Sequence, residues 1–422
     1  MSLTTVDHKA HAFRRRVNVS ALTPAAVKSL QKRVTPHVDF LIEKIDRSIG
    51  FNKTVWGPGQ DMGHAVAYCI ADIMGDVTFS QHFNVQRDEK NRHFVHDLPK
   101  GVAGIHLVGH MQWLFLFNMH KVLFNELIVG VSQLMALSRS FANNRLEDGK
   151  KGIASGDIWE ALLASRDPKT GRAFTSEELT SEASLFIIGG TDGMITATTS
   201  TLFYLLHNKH ALDRLVHDLR EAFPPTVEKG RSCPIQFACP ELQRVTWLFA
   251  CIDEAMRISP PVPSILPRRV GPGGILVDGE FFPEGTDLGI PHYSLHRSAD
   301  IFADPLAYKP ERWVTTSQNE CNGEKSGVCL RAGVGSAPSF TPFGAGRSSC
   351  IGKDFAYKEV SYILARLIWL FDMKLDQNDL TGEGLGTGPE GRERKDEFQL
   401  YDRFVSEQSG PMVQFRLRQD FC

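Results

Sequence analysis

One cysteine in a glycine-rich loop constrains this 422-residue chain more than any other feature. Cys350 follows Phe343, Gly344 and Gly346, and it precedes a helical pattern that runs from Asp354 to Leu370. Glycine permits positive φ angles and a close approach of the main chain to a ligand. A helix N-terminus favours negative charge, so a cysteine there is held more readily as a thiolate. A thiolate in a cradle of backbone N–H groups suits the axial position of a haem iron, whereas the alternative is a buried, inert cysteine in a turn.

The loop resembles the haem-binding loop of cytochrome P450 monooxygenases, whose pattern is Phe-x-x-Gly-x-Arg-x-Cys-x-Gly. Four of the five fixed positions match, namely Phe343, Gly346, Cys350 and Gly352. The family's arginine would fall at Ser348, and Arg347 lies one residue earlier. The resemblance implies that Cys350 binds the iron of haem b and that the other matched residues shape the loop around the cofactor. It also implies that Arg347 reaches a haem propionate from the neighbouring position.

Composition excludes several other functions. The net charge is −2, from 47 basic and 49 acidic residues, so we expect no nucleic-acid partner. The 8 cysteines show no CxxC or CxxH spacing, which indicates free thiols in a reducing compartment. The most apolar stretch, 104–135, is interrupted by polar residues. It predicts amphipathic helices that pack on the core, with a membrane-contacting face as the alternative.

The start of the chain carries a histidine and an arginine at helical spacing. His11 and Arg15 are four residues apart within helical patterns that extend to Ile49, so they share one helical face. From the residues alone, a solvated basic patch is the alternative. The resemblance implies that both side chains face a haem propionate. Four further cations would then line the face toward an acidic redox partner, unless they are simply solvated: Arg14, Arg16, Lys28 and Lys32.

A long buried helix is predicted between Ser184 and Leu206, after a capping-box pattern at 175–178. Three glycines interrupt it, at 189, 190 and 193, and each costs roughly 1 kcal/mol relative to alanine. Either something approaches the backbone or the helix opens there, or the glycines allow close packing between helices.

The P450 family carries Gly-x-Asp-Thr on the equivalent helix above the haem, where an acid–alcohol pair organises protons. Gly190 and Asp192 match this pattern, whereas Gly193 stands at the alcohol position. The resemblance therefore implies that proton delivery rests on Asp192, on ordered water or on a hydroxyl of the substrate.

Glu254 and Arg257 are three residues apart and hence neighbours on a helix, a weak signal that usually marks a surface ion pair. The Pro-Pro pair at 260–261 and the later segment 309–313 make the resemblance strong. It implies a buried network of Glu254, Arg257 and Arg312 that braces the fold. It also implies that Arg268, in a strand predicted at 265–270, meets a propionate.

Further strands are predicted at 274–277, 287–291 and 412–415, with a turn at 409–411 that lies over the pocket in the family. Residues 314–336 are rich in Gly, Ser and Asn and predict an exposed insertion.

We expect a mainly α fold with small β-sheets (α+β), the cytochrome P450 fold of the fungal microsomal type. Residues 1–422 would form one haem-thiolate domain without the family's N-terminal anchor, first helices and first strands. The resemblance implies hydroxylation or epoxidation of a hydrophobic small molecule by dioxygen, as a step of secondary metabolism. Electrons would come from NADPH through cytochrome P450 reductase at the cytosolic face of the endoplasmic reticulum membrane. The alternatives are a haem-thiolate isomerase, dehydratase or peroxide user, and a non-catalytic fragment.

Overall fold

The computed structural model describes most of the chain. The described residues are 5–111, 123–150, 156–225, 233–314, 339–386 and 391–419, together with 2, 113, 118 and 119. The insertion predicted at 314–336 lies outside these residues except for Val314, and so does part of the stretch 104–135.

Helices dominate the described residues, as the sequence predicts. They are α1 (His8–Ala21), α2 (Pro24–Ser29), α3 (Gln31–Ser48), α4 (Met62–Phe79), α5 (His93–His110), α6 (Asn125–Lys150), α7 (Ile158–Ala164), α8 (Ser176–His207), α9 (Lys209–Ala222), α10 (Pro240–Gln243), α11 (Thr246–Ile258), α12 (His292–Leu295) and α13 (Lys353–Leu370).

The strands are short and pair in small antiparallel sheets. They are β1 (Gln60–Asp61), β2 (Arg268–Arg269), β3 (Ile275–Val277), β4 (Glu280–Phe282), β5 (Asp287–Leu288), β6 (Phe371–Leu375), β7 (Leu400–Arg403), β8 (Val405–Gln408) and β9 (Met412–Leu417). One sheet has the order β1-β9-β6, and the others are the pairs β2–β5, β3–β4 and β7–β8. Strands β2 and β5 are shorter than predicted. Pro267 directly precedes β2 and Pro291 follows β5, and proline cannot donate a ladder hydrogen bond.

Helix α8 forms the centre of the core. Its N-terminus has the predicted capping box: Thr175 accepts a hydrogen bond from the Glu178 backbone, and the Glu178 side chain accepts one from the Thr175 backbone. The helix is continuous through its glycines and packs against α4, α11 and α13. Leu202 and Phe203 are fully buried near its C-terminal end. Burial of such side chains stabilises a fold by about 1.5–3 kcal/mol each. Packing against α8 therefore contributes to holding the neighbouring helices in place.

No described helix combines the length with the apolar character that a membrane crossing requires.

Candidate active site

The loop before α13 leaves Cys350 exposed. Gly344 and Gly346 have φ angles of 68° and 66°, a left-handed conformation that side chains rarely adopt. The Cys350 N–H donates to the Phe343 carbonyl oxygen at 2.7 Å, which closes the loop. A short 3₁₀ turn at Gly346–Ser348 then leads to Cys350 and to the start of α13. The sequence-predicted loop is therefore folded around its cysteine.

The surroundings of the Cys350 thiol suit a ligand more than an inert core residue. Its side chain is exposed. Burial raises the pKa of the thiol, whereas backbone N–H groups of Gly352 and Lys353 and the charges of Arg15 and Lys353 act to lower it. A Cβ atom at Gly352 would lie 3.7 Å from the Cys350 sulfur, an ordinary contact, so Gly352 lies directly beside the thiol. These donors would stabilise a thiolate bound to a metal.

Of the predicted cofactor-binding residues outside the loop, Arg15 contacts the loop directly. Arg15 donates from Nη1 to the Ser349 carbonyl at 2.6 Å and from Nη2 to Ser349 Oγ at 3.1 Å. Burial lowers the pKa of His11, and the positive charges of Arg15 and Arg268 lower it further. Neither Arg15 nor Arg268 forms an ion pair within the described part of the chain. Two guanidinium groups without a carboxylate partner fit the two propionates of haem b.

The predicted role of Arg347 at a haem propionate stays a prediction. Its side chain is exposed and makes no hydrogen bond with the described residues, and Ser348 beside it is also exposed.

The basic face predicted beside His11 and Arg15 is partly wrong. Arg14 pairs with the buried Glu182 at 2.7 Å. Arg16 binds both oxygens of Asp167 at 2.6 and 2.9 Å. These side chains hold α1 against the rest of the fold instead of facing a partner, and only Lys28 and Lys32 of the four predicted cations are exposed.

Gly190 and Gly193 of α8 have different structural roles. A Cβ atom at Gly190 would lie 2.4 Å from Cε and 3.0 Å from Sδ of Met74, so α4 packs closely against the helix there. At Gly193 the nearest atom would be Cβ of Pro261 at 3.8 Å, an ordinary contact. Gly190 therefore serves close packing, whereas the space at Gly193 would accept a side chain.

Asp192 lies on the same turn, and its carboxylate accepts no hydrogen bond from the described residues. Burial, with a smaller contribution from the negative charge of Glu407, raises the pKa of Asp192 to about 7. The side chain lines a cavity of about 140 Å³ together with His64, Glu407 and Ser409. Ser409 belongs to the turn that the family resemblance places over the pocket. A carboxyl group with such a pKa can both hold and release a proton near neutral pH.

The nearby threonines do not replace the missing alcohol. Thr196 Oγ1 contacts the Ser406 carbonyl at 3.0 Å and Gln408 Oε1 at 3.2 Å, so it is tied to strand β8. Thr198 and Thr199 donate to carbonyls one turn earlier in their own helix.

Sequence reasoning missed the polar residues opposite Asp192. His64 Nδ1 lies 2.8 Å from Asp61 Oδ2, and this hydrogen bond raises the pKa of His64. The ring of His96 lies 5.5 Å from the ring of His64, and all three residues line the Asp192 cavity. Asp61 resembles an ordinary N-cap of α4, which it also is, so nothing in the sequence separates this cluster from a helix start.

Glu254, Arg257 and Arg312 form one buried network. Arg257 binds Glu254 through two hydrogen bonds of 2.9 Å, and Arg312 Nε donates to Glu254 Oε1 at 3.0 Å. The Trp313 indole and the Lys309 backbone N–H each donate to the same carboxylate at 2.9 Å. The Glu254 and Arg257 side chains are fully buried. All the donors are therefore held by one carboxylate.

This network reaches the cysteine loop through His296, another residue that sequence reasoning missed. Arg257 Nη1 donates to the His296 carbonyl at 2.7 Å, and the Thr341 N–H donates to His296 Nε2 at 3.2 Å. Burial and the charges of His292 and Arg257 lower the pKa of His296 to about 3, which keeps the ring neutral and able to accept. The Thr341 carbonyl in turn accepts from Gly344 at 2.8 Å.

A mainly helical protein with this cysteine loop falls in the class of haem-thiolate enzymes. The family model described as Cytochrome P450 matches residues 2–386, and the chain therefore belongs to the cytochrome P450 family. It is a monooxygenase by family, and haem b is the family's cofactor.

Similar proteins are fungal. A cytochrome P450 monooxygenase of Gibberella zeae is 31% identical over 420 residues, covering 99% of this chain and 91% of that protein. The monooxygenase poxM of Penicillium oxalicum is 28% identical and covers 98% of this chain and 74% of its own length. The monooxygenase AKT7 of Alternaria alternata is 28% identical, and the match covers 98% of this chain and 77% of that protein.

Proposed function

We propose that this chain hydroxylates or epoxidises a hydrophobic small molecule in fungal secondary metabolism. The observation that carries the proposal is the exposed Cys350 thiol in its closed loop, beside the uncompensated guanidinium groups of Arg15 and Arg268. Cys350 would hold haem b through its iron, with His11, Arg15 and Arg268 on the propionates. Phe343, Gly346 and Gly352 would shape the loop around the ligand. When bound, the haem supplies activation of dioxygen.

The remaining steps belong to residues of this chain. Asp192 would hold a proton in its cavity and release it toward the oxygen site, since its pKa is near 7. The hydrogen-bonded pair of His64 and Asp61 would return a proton from the other side of the same cavity. Gly190 would keep α8 close to α4, and Gly193 would leave room for the substrate. Glu254, Arg257 and Arg312 would hold the cysteine loop in place through His296.

The reduced, carbon-monoxide-difference spectrum of purified protein tests the ligand assignment. Wild-type protein is expected to give the thiolate-type spectrum, and Cys350→Ser is expected to lose it. Cys239→Ser is the matched control, because Cys239 is also partly accessible but lies at the start of α10. A thiolate-type spectrum that survives in Cys350→Ser would sink the assignment.

Electron supply is proposed to come from NADPH through cytochrome P450 reductase. Lys28 and Lys32 are the predicted surface cations that remain exposed, and an acidic reductase surface would complement them. We expect the double charge reversal Lys28→Glu/Lys32→Glu to slow reduction by reductase and leave reduction by dithionite unchanged. Equal rates of reductase-driven reduction in both proteins would remove these lysines from the docking face.

We further propose association with the cytosolic face of the endoplasmic reticulum membrane. The β3–β4 hairpin exposes apolar side chains, with Leu276 at 66% and Phe281 at 64% of their free surface. Exposed apolar groups at a hairpin tip suit contact with lipid. Leu276→Asp/Phe281→Asp is expected to reduce co-sedimentation with phospholipid vesicles, and unchanged co-sedimentation would exclude this hairpin as the contact.

A second function remains a candidate because Gly193 removes the family's alcohol. A haem-thiolate isomerase, dehydratase or peroxide user needs no protonation of bound dioxygen from that position. Product analysis with and without NADPH and reductase separates the two. Product that requires both supports the monooxygenase, whereas product without either supports the second function.

A further inference from the structure

Three metal-ligating side chains converge on one point away from the cysteine loop. His37 comes from α3, Asp76 from the last turn of α4, and His82 from the loop that follows α4. Asp76 Oδ2 lies 3.2 Å from His37 Nε2 and 3.9 Å from His82 Nδ1. One ligand atom from each of the three residues lies within 4.8 Å of the other two. Two imidazoles and a carboxylate oxygen form a donor set that binds divalent transition metals.

The carboxylate is prepared for such a role. Arg33 Nη1 donates to Asp76 Oδ1, so Oδ2 is the oxygen left to face the imidazoles. An outer partner of this kind fixes the orientation of a metal-binding carboxylate.

A cavity beside the cluster provides a second, independent observation. Its volume is about 410 Å³, and its lining includes the three residues together with Gln86. Gln86 is only 5% exposed and donates from Nε2 to the His37 carbonyl at 3.2 Å. Its Oε1 atom accepts no hydrogen bond among the described residues. Buried oxygens of this kind usually bind a protein donor, a water or an ion. Gln86 Oε1 is therefore an oxygen ligand or acceptor whose partner is still to be found.

A simple His–Asp hydrogen bond is the competing explanation. It accounts for His37, which lies within hydrogen-bond distance of Asp76, but it gives no role to His82 on the same oxygen. The ring centroids of His37 and His82 are 6.3 Å apart and tilted by 46°, so the rings do not stack on each other. Ligands of a tetrahedral Zn²⁺ at 2.0–2.1 Å lie about 3.3 Å from one another, which small side-chain movements would reach here.

We propose that His37, Asp76 and His82 bind a divalent transition metal, with Zn²⁺ as the expected ion. The protein supplies three ligands, and the fourth position faces the cavity, where water or Gln86 completes the set. The bound metal links α3 to the loop after α4. This site is separate from the haem-binding loop and does not depend on the proposed reaction.

Zinc titration of haem-loaded, chelator-treated protein tests the proposal. Isothermal titration calorimetry is expected to show one Zn²⁺ per chain. X-ray absorption at the zinc edge is expected to show nitrogen and oxygen neighbours at about 2.0–2.1 Å and none at the 2.3 Å typical of sulfur. A sulfur shell would place the zinc on cysteine and overturn the proposal.

His82→Ala is the informative variant, because His82 is 65% exposed and its loss should leave the fold intact. We expect affinity to fall by at least the roughly 10- to 100-fold that loss of an outer partner costs. We also expect Zn²⁺ to raise the melting temperature of the wild type and not that of the variant. His217→Ala is the matched control, since His217 is exposed beside Asp218 at 3.4 Å without a third ligand. Absence of binding, or equal affinity in His82→Ala and His217→Ala, would overturn the proposal.

Discussion

Two carboxylates on neighbouring buried helices have opposite surroundings. Glu254 on α11 accepts hydrogen bonds from Arg257, Arg312, Trp313 and the Lys309 backbone. Asp192 on α8 accepts none from the described residues, and its pKa rises to about 7. Every lone pair of Glu254 is committed to structure, whereas Asp192 is free to exchange a proton with its cavity. A buried ion network argues for a bracing role, and an unpaired carboxyl in a cavity argues for chemistry.

A third buried carboxyl shows that the absence of donors is not enough. Glu359 on α13 is fully buried, and neither of its oxygens accepts a hydrogen bond from the described residues. Burial raises its pKa well above the ordinary value. It lines neither of the two cavities described above. The comparison therefore predicts a structural cost at Glu254, a pH-dependent cost at Glu359 and a chemical role at Asp192.

The largest expected effect is at Glu254. Glu254→Ala strands the buried charge of Arg257, and breaking such a network typically costs about 3–5 kcal/mol. We expect the free energy of unfolding and the amount of bound haem to fall together, measured by denaturant titration and haem absorbance. Glu311 is exposed in the short 3₁₀ turn Pro310–Trp313, which also carries Arg312, and it provides the control Glu311→Ala, expected within about 0.5 kcal/mol of wild type. Normal stability with selective loss of turnover would contradict the bracing role.

The next effect concerns Glu359 and depends on pH. Because its folded pKa is raised, the folded state keeps a proton that the unfolded state releases as pH rises above about 4.5. Stability is therefore fully present below that pH and is lost as pH rises, by up to about 1.4 kcal/mol per pH unit. Glu359→Gln removes this loss, so we expect it to be more stabilising at pH 8 than at pH 5 in thermal or denaturant unfolding. The same difference from wild type at both values would mean that Glu359 finds a charged partner.

A smaller effect is expected at Gly193, where a side chain fits. Gly193→Thr restores the family's alcohol, and Gly193→Val is its matched control of the same shape without the hydroxyl. If the relay lacks only a hydroxyl, the threonine variant forms more product per NADPH and the valine variant does not. If a substrate hydroxyl fills the space, both variants lose turnover. No change in either variant would mean that position 193 does not face the oxygen site.

The sequence predicted the features whose chemistry is local. The glycines of the cysteine loop, the capping box at Thr175 and the spacing of Glu254 and Arg257 each involve neighbours in the chain, and the structure shows each in the expected form. The bounds of β2 and β5 were less accurate; Pro267, directly before β2, removes one ladder donor.

Features that depend on distant partners were missed or wrong. Arg14 and Arg16 read as surface cations, because their carboxylate partners Glu182 and Asp167 lie more than a hundred residues away. His64 and Glu407 were missed for a similar reason. They are far from Asp192 in the sequence and share a cavity with it only in the folded structure. The roles of the predicted cofactor and catalytic residues remain predictions, since contacts alone do not show chemistry.

The pH profile of coupling in wild type and Asp192→Asn tests the central claim most directly. Coupling is the amount of product formed per NADPH consumed by haem-loaded protein with reductase. A proton donor with a pKa of about 7 is protonated below that value, so wild-type coupling is expected to fall as pH rises through 7. Asparagine cannot donate a proton in this way, so the variant is expected to show low coupling at every pH. Its free energy of unfolding is expected to be no lower than that of the wild type. The same pH profile in both proteins, or a loss of stability that parallels the loss of coupling, would contradict a chemical role for Asp192.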